Sequence, residues 1–188
     1  MKTNAGNLKK GDFVYYNNEV CQVQKAEFYS PGKGSALMRT KLKNVITGKG
    51  ADYTYKSQET VETLEVNSVE MQYLYKDNEY LYFMDERTYQ QYQVLLSVVG
   101  SVTDFMKEGN KYFVFLHDDK VLNVRPSASE RLQVIETEDA AKGDTVSGAK
   151  KPAVVETGAT VMVPLFVKKG DTITVNPETG AYGERVKG

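Results

Sequence analysis

The stretch Ser30-Pro31-Gly32-Lys33-Gly34-Ser35 has residue types whose spacing points to chemistry. Proline presets φ and glycine accepts positive φ, so Pro31-Gly32 reads as a tight turn. Gly32 and Gly34 remove side chains from both neighbours of Lys33. One ammonium is then left alone at a tip between two strands, slim enough to enter a narrow cleft. This is not a Walker phosphate loop, which needs G-x-x-x-x-G-K-[ST]; here position 27 is Glu and position 34 is Gly. Gly-Lys-Gly also recurs at Gly48-Lys49-Gly50, so the tripeptide alone is not diagnostic. The residues by themselves leave a working lysine and an ordinary solvated hairpin tip both open.

Other reactive side chains are sparse. Cys21 lies in an apolar strand, where a small buried thiol is the ordinary outcome. His117-Asp118-Asp119 reads as a solvated hairpin tip rather than a metal or acid/base site. There is no G-x-S-x-G elbow, and the carboxylates show no pairing suited to acid/base work. One cysteine and one histidine exclude an internal disulfide and a zinc set of the usual kind. The expectation is a protein that is not an enzyme and carries no metal or cofactor. The longest apolar run, Val161 to Val167, has Pro164 in its middle and falls far short of the roughly 20 residues of a spanning helix. Met1 to Asn7 has no apolar segment of the secretory kind, so a cytoplasmic location is expected.

The elements that must hold Lys33 are short strands punctuated by turns, which favours small barrels over a parallel α/β sheet. Phe13–Tyr16 and Val20–Val23 form a hairpin about Asn17-Asn18. From Ala36 to Val45, Met38, Thr40 and Leu42 alternate with Arg39, Lys41 and Lys43, predicting a half-buried strand with three cations outward. The middle third reads as two hairpins, Met71–Tyr75 with Tyr80–Met84 and Tyr112–Leu116 with Val121–Val124. Val98, Val102, Phe105 and Met106 between them fall at the spacing of one short helix. This third also holds more than half of the 13 tyrosines. Alternating tyrosines either pack across strands or stack nucleobases, and packing is the commoner use. In the last third, Leu132–Glu136 is followed by a turn-rich stretch from Asp139 to Pro152. Strands at Val161–Val163, Thr172–Val175 and up to Val186 complete it.

Charge is uneven over these thirds. Residues 1–64 carry 10 Lys+Arg against 6 Asp+Glu, residues 65–129 carry 6 against 10, and residues 130–188 carry 8 against 9. A basic head on a neutral-to-acidic body suits orientation along a polyanion better than uniform coating.

These motifs together resemble the bacterial elongation factor P family, relatives of initiation factor 5A. The resemblance runs over essentially the whole chain. It rests on Pro31-Gly32-Lys33-Gly34, the basic strand Arg39 to Lys43, and Thr47-Gly48. Later it rests on Lys142-Gly143-Asp144-Thr145-Val146-Ser147-Gly148, Lys151-Pro152-Ala153, Val163 to Val167, Gly170-Asp171, and Gly180-Ala181-Tyr182 with Arg185. The resemblance implies an all-β chain: an SH3-like (KOW-type) barrel at 1–64, an OB-fold barrel at 65–129 and a second at 130–188, set in a tRNA-like L. It further implies a monomeric factor that binds the 70S ribosome between the P and E sites, beside peptidyl-tRNA and ribosomal RNA. Peptide bonds would be stimulated there at polyproline stalls. Lys33 matches the family's modified tip lysine, so a lysine-modifying enzyme is an implied partner; neither membrane nor DNA is. Arg39, Lys41, Lys43, Lys142, Asp144, Thr145, Lys151, Tyr182 and Arg185 are the implied RNA-facing residues. The alternative is a general RNA-binding barrel protein of ribosome assembly or transcription elongation.

Overall fold

The computed structural model describes residues 1–140 and 148–187, and the regular elements among them are nearly all strands. The first sheet contains β1 (Lys2–Asn4), β2 (Phe13–Tyr16), β3 (Glu19–Tyr29), β4 (Leu37–Asn44), β5 (Gly50–Lys56) and β6 (Thr60–Leu64), in the order β1-β6-β2-β3-β4-β5. Asn17 and Asn18 both take positive φ, 50° and 61°, which matches the twist of a two-residue hairpin between β2 and β3. β4 alternates as its sequence predicts, with Met38, Thr40, Leu42 and Asn44 buried and Arg39, Lys41 and Lys43 exposed. The sheet curls until a 3-10 turn at Ala5–Asn7 seals it: Ala5 and Gly6 donate their N–H groups to the carbonyls of Glu59 and Ser57 at 2.8 and 2.9 Å. Val14, Val23, Met38, Leu42, Tyr55 and Val61 fill the interior.

The second sheet is β7 (Asn67–Lys76), β8 (Tyr80–Met84), β9 (Gln91–Leu95), β10 (Lys111–His117) and β11 (Lys120–Arg125), ordered β11-β10-β7-β8-β9. The expected helix is shorter and of a different kind. One α turn, α1 (Leu96–Val99), meets Gly100 at φ 82°, and a 3-10 segment continues over Gly100–Phe105. A residue with that φ breaks the α ladder. The β10–β11 turn is also tighter than the sequence suggests. Asp118 and Asp119 alone form it at φ 47° and 58°, while His117 ends β10 with its Nδ1 2.9 Å from the carbonyl oxygen of Glu65.

The third sheet is β12 (Glu130–Thr137), β13 (Lys150–Val155), β14 (Thr160–Pro164), β15 (Thr172–Asn176) and β16 (Ala181–Arg185), ordered β14-β13-β12-β15-β16. β13 begins inside the stretch read as a turn-rich loop. Pro152 lies in it just past the last β12 pairing, Thr137 with Ala153; it is exposed, pairs with Met162, and accepts a hydrogen bond from the Thr137 hydroxyl at its carbonyl, 2.9 Å. Leu132, Val134, Val155, Val163, Ile173 and Val175 form the core, and Phe105 joins it.

By packing, the chain forms two compact units: Met1–Val69 with Val114–Asn123, and Glu70–Phe113 with Val124–Gly188. In the first, Phe115 and Leu122 pack on Phe13, Val45 and Leu64. Among the described residues no helix is long and apolar enough to cross a membrane.

Candidate nucleic-acid interface

β3 and β4 extend as a ribbon whose register runs from Cys21↔Asn44 to Tyr29↔Leu37, with a bulge at Gln24. At about 3.3 Å per residue it is roughly 25 Å long, and residues 30–36 close its far end. Lys33 is exposed in that loop, and among the described residues it enters no ion pair. The positive φ falls on Gly34, at 108°, not on Gly32 as the Pro-Gly pair suggests. The loop is a bend pinned at its base, where Ser57 donates its N–H to the Ala36 carbonyl at 2.8 Å. Next to it the Arg39 guanidinium lies 4.4 Å from the centroid of the Tyr29 ring. Stacking of this kind restrains two long side chains at once and stiffens the neck of the loop.

The outward face of β4 is not uniformly basic. Arg39 lies opposite Glu27 and Thr54, Lys41 opposite Lys25 and Asp52, and Lys43 opposite Gln22 and Gly50. Lys25 pairs with Glu27 at 2.6 Å, and that hydrogen bond, before the charges of Lys25, Arg39 and Lys41, holds the Glu27 carboxyl below its ordinary range. Four cations therefore face two carboxylates. Two shallow hollows open along this face, about 250 Å³ beside Arg39 and Tyr53 and about 490 Å³ beside Lys43 and Gly48. The turn beside the second is held by Asn44, which sequence reasoning passed over. Its Oδ1 accepts the N–H groups of Ile46 and Thr47, both at 2.8 Å, and its Nδ2 donates to Glu19 at 2.7 Å. An Asn three residues ahead of Thr47-Gly48, able to accept backbone N–H groups two and three residues on, is the turn signal that was there to be read.

Three family descriptions match the chain in succession: "Elongation factor P (EF-P) KOW-like domain" over residues 4–61, "Elongation factor P (EF-P) OB domain" over 66–124, and "Elongation factor P, C-terminal" over 131–185. The elongation factor P of Caldicellulosiruptor bescii is 42% identical over 182 residues, covering 97% of this chain and 98% of its own. That of Acetivibrio thermocellus is 40% identical over 182 residues, with the same coverage. The chain belongs to the elongation factor P family. A solved structure titled as initiation factor 5A from Methanococcus jannaschii is 17% identical and covers 67% of this chain and 94% of that one at TM-score 0.49, too distant to bear on the assignment.

Within this elongation factor P family member, the other sequence-derived candidates are dispersed. Lys142, Asp144 and Thr145 lie outside the described residues. Lys151 does not face outward as expected: it is buried, and its ammonium donates to the carbonyl of Glu138. Alternation in β13 puts it on the same side as Ala153 and Val155. Tyr182 packs half-buried against the third core. Arg185 is exposed but tethered, with its Nη1 3.6 Å from Asp171 and its guanidinium 5.1 Å from the Phe166 ring centroid. The structure brings Lys33, Arg39, Lys41 and Lys43 onto one hairpin; Tyr182 and Arg185 share β16, elsewhere in the chain. Cys21 is buried in the first core, and burial raises its thiol pKa. Among the described residues no group of three or more His, Cys, Asp or Glu could hold a metal ion.

Proposed function

We propose that the chain is a cytoplasmic translation elongation factor that binds the 70S ribosome between the P and E sites and holds peptidyl-tRNA for reaction at polyproline stalls. Three barrels, at 1–64, 65–129 and 130–188, would lie along the tRNA. The observation that carries the reading is the exposed ammonium of Lys33 on a slim loop at the end of a braced ribbon. Proline reacts poorly because its ring restricts the nascent chain and its nitrogen is a secondary amine. A peptidyl-tRNA that drifts from attack geometry loses about tenfold in rate for each 1.4 kcal/mol of misplacement. A cation set against the CCA backbone restrains that drift, and the ribosome's own centre makes the bond. The factor contributes positioning, with no covalent step of its own. Arg39, Lys41 and Lys43 would meet phosphates of the acceptor stem, and Tyr182 and Arg185 would meet RNA farther along. Extension of Lys33 by a modifying enzyme would lengthen its reach.

The test is Lys33→Ala on synthesis of a reporter with consecutive prolines and of a proline-free control. Loss confined to the proline reporter is the expected result. Equal output from both proteins on both reporters overturns the reading and favours a general RNA-binding barrel protein, for which one cation among many matters little. Intact mass of native material showing only unmodified chain would remove the modification.

A further inference from the structure

The sheet face made by β7, β8 and β9 has a role that tip and cationic strand leave unassigned. The tyrosines there divide in two. Tyr73 and Tyr112 point inward, buried and in ring contact with Phe83. Tyr75, Tyr80 and Tyr82 point outward as a continuous row: Tyr75 stacks on Tyr82 at 4.6 Å with 22° between planes, and Tyr80 meets Tyr82 at 6.4 Å. Packing within the sheet does not use them up, since Tyr75 stays 47% exposed and Leu95, the cross-strand partner of Tyr80, 38%.

Asp77 ends the row at the β7–β8 turn. Its Oδ1 accepts the N–H groups of Glu79 and Tyr80, and its Oδ2 accepts the Tyr82 hydroxyl at 2.7 Å. These bonds depress its pKa and keep it ionised, and Glu79 is exposed beside it. The residues that face out with the row along β8 and β9 are Met84, Gln91, Gln93 and Leu95, none of them cationic. Lys76 pairs with buried Leu81 and so takes the other side of the sheet. An RNA strand needs cations along such a platform, because phosphates must be neutralised while bases stack. A face of π rings and carboxylates has the opposite preference, attracting guanidinium and ammonium groups over its rings.

We propose that the outward face of β7–β8–β9 is a docking surface for an extended, arginine- or lysine-rich segment of a protein partner, with Tyr75, Tyr80 and Tyr82 as its platform and Asp77 and Glu79 as its charge anchors. The partner's cations lie over the rings while its backbone runs along the row. Tyrosine suits this use because a large amphipathic ring is fixed at small entropic cost.

The test uses the full chain with fluorescein-labelled nona-arginine as probe and oligouridylate as competitor class, read by anisotropy and by amide shift mapping. Binding of the peptide with shifts confined to residues 72–95 is expected. Tyr75→Ser combined with Tyr80→Ser should weaken it roughly fivefold or more, while Glu178→Gln with Glu184→Gln on the third sheet leaves it unchanged. Equal affinity of the tyrosine double variant, shifts elsewhere, or tighter binding of oligouridylate to this face would each overturn the proposal. If the double variant unfolds, the shift map of the natural chain decides alone.

Discussion

Asn44 is buried at the end of β4, and its side chain serves three partners at once. Asn44→Ala should cost roughly 1–3 kcal/mol, the usual penalty for orphaning buried polar groups, and urea unfolding would measure it. Tyr55 presents the reverse case. Its hydroxyl is buried and has no hydrogen-bond partner among the described residues, and burial pushes its pKa up to about 12. The unfolded phenol ionises near 10, so the folded state binds the more protons between about pH 10 and 12. Stability from this group is therefore complete below pH 10 and is lost as pH rises through that window. Tyr55→Phe should leave stability at pH 7 equal or up to about 1 kcal/mol higher and make the alkaline fall shallower, as urea midpoints at pH 7 and near 11 would reveal. Tyr73, also raised to about 12 by burial, keeps some of the fall in place. At this scale the sequence was a partial guide. Alternation along β4 told inside from outside correctly because a period of two leaves no choice. The resemblance, by contrast, set Lys151 facing RNA, whereas it is buried, since a long side chain can bury its stem and still find a carbonyl for its head.

Phe105 ties the 3-10 segment after α1 to the core of the third sheet. Its ring also limits the β15–β16 turn, since a Cβ added to Gly180, at φ 70°, would sit 3.2 Å from the Phe105 Cζ. Phe105→Ala should cost about 3–5 kcal/mol through transfer and cavity. Gly180→Ala should be costly alone and less so when Phe105 is already Ala, because the contact part of its penalty vanishes while the backbone part persists. A double-mutant cycle in urea checks this; strict additivity would refute the contact. The spacing of Val98, Val102, Phe105 and Met106 was legible as helical. The break at Gly100 and the destination of Phe105 were not, because periodicity is local and the partner strands of that ring lie farther along the chain. The strands themselves were readable from turn chemistry, as Asn17-Asn18 shows, whereas β13 hid behind Pro152, a residue that ordinarily argues against a strand.

The whole molecule carries a net charge of only −1, yet its first 64 residues hold an excess of four positive charges and the next 65 an excess of four negative ones. Total charge governs solubility and says little about partners, whereas placement governs orientation. In the proposed role, Arg39, Lys41 and Lys43 set affinity for RNA while Lys33 sets rate, and the two functions separate experimentally. Each phosphate contact removed lowers the steepness of log K against log salt by roughly 0.7–0.9. Arg39→Ala, Lys41→Ala and Lys43→Ala combined should flatten the slope for ribosome binding by about 2 to 3 and weaken binding most at low salt. Lys33→Ala should move the slope by about 1 at most while abolishing the gain on the proline reporter. Glu27 and Asp52, interleaved among those cations, sharpen the expectation: their carboxylates offset part of the field, so Glu27→Gln should strengthen ribosome binding at low salt. If the triple variant bound ribosomes with an unchanged salt slope, the cationic strand would be a solvated surface only, and the first barrel would have to be held by contacts elsewhere.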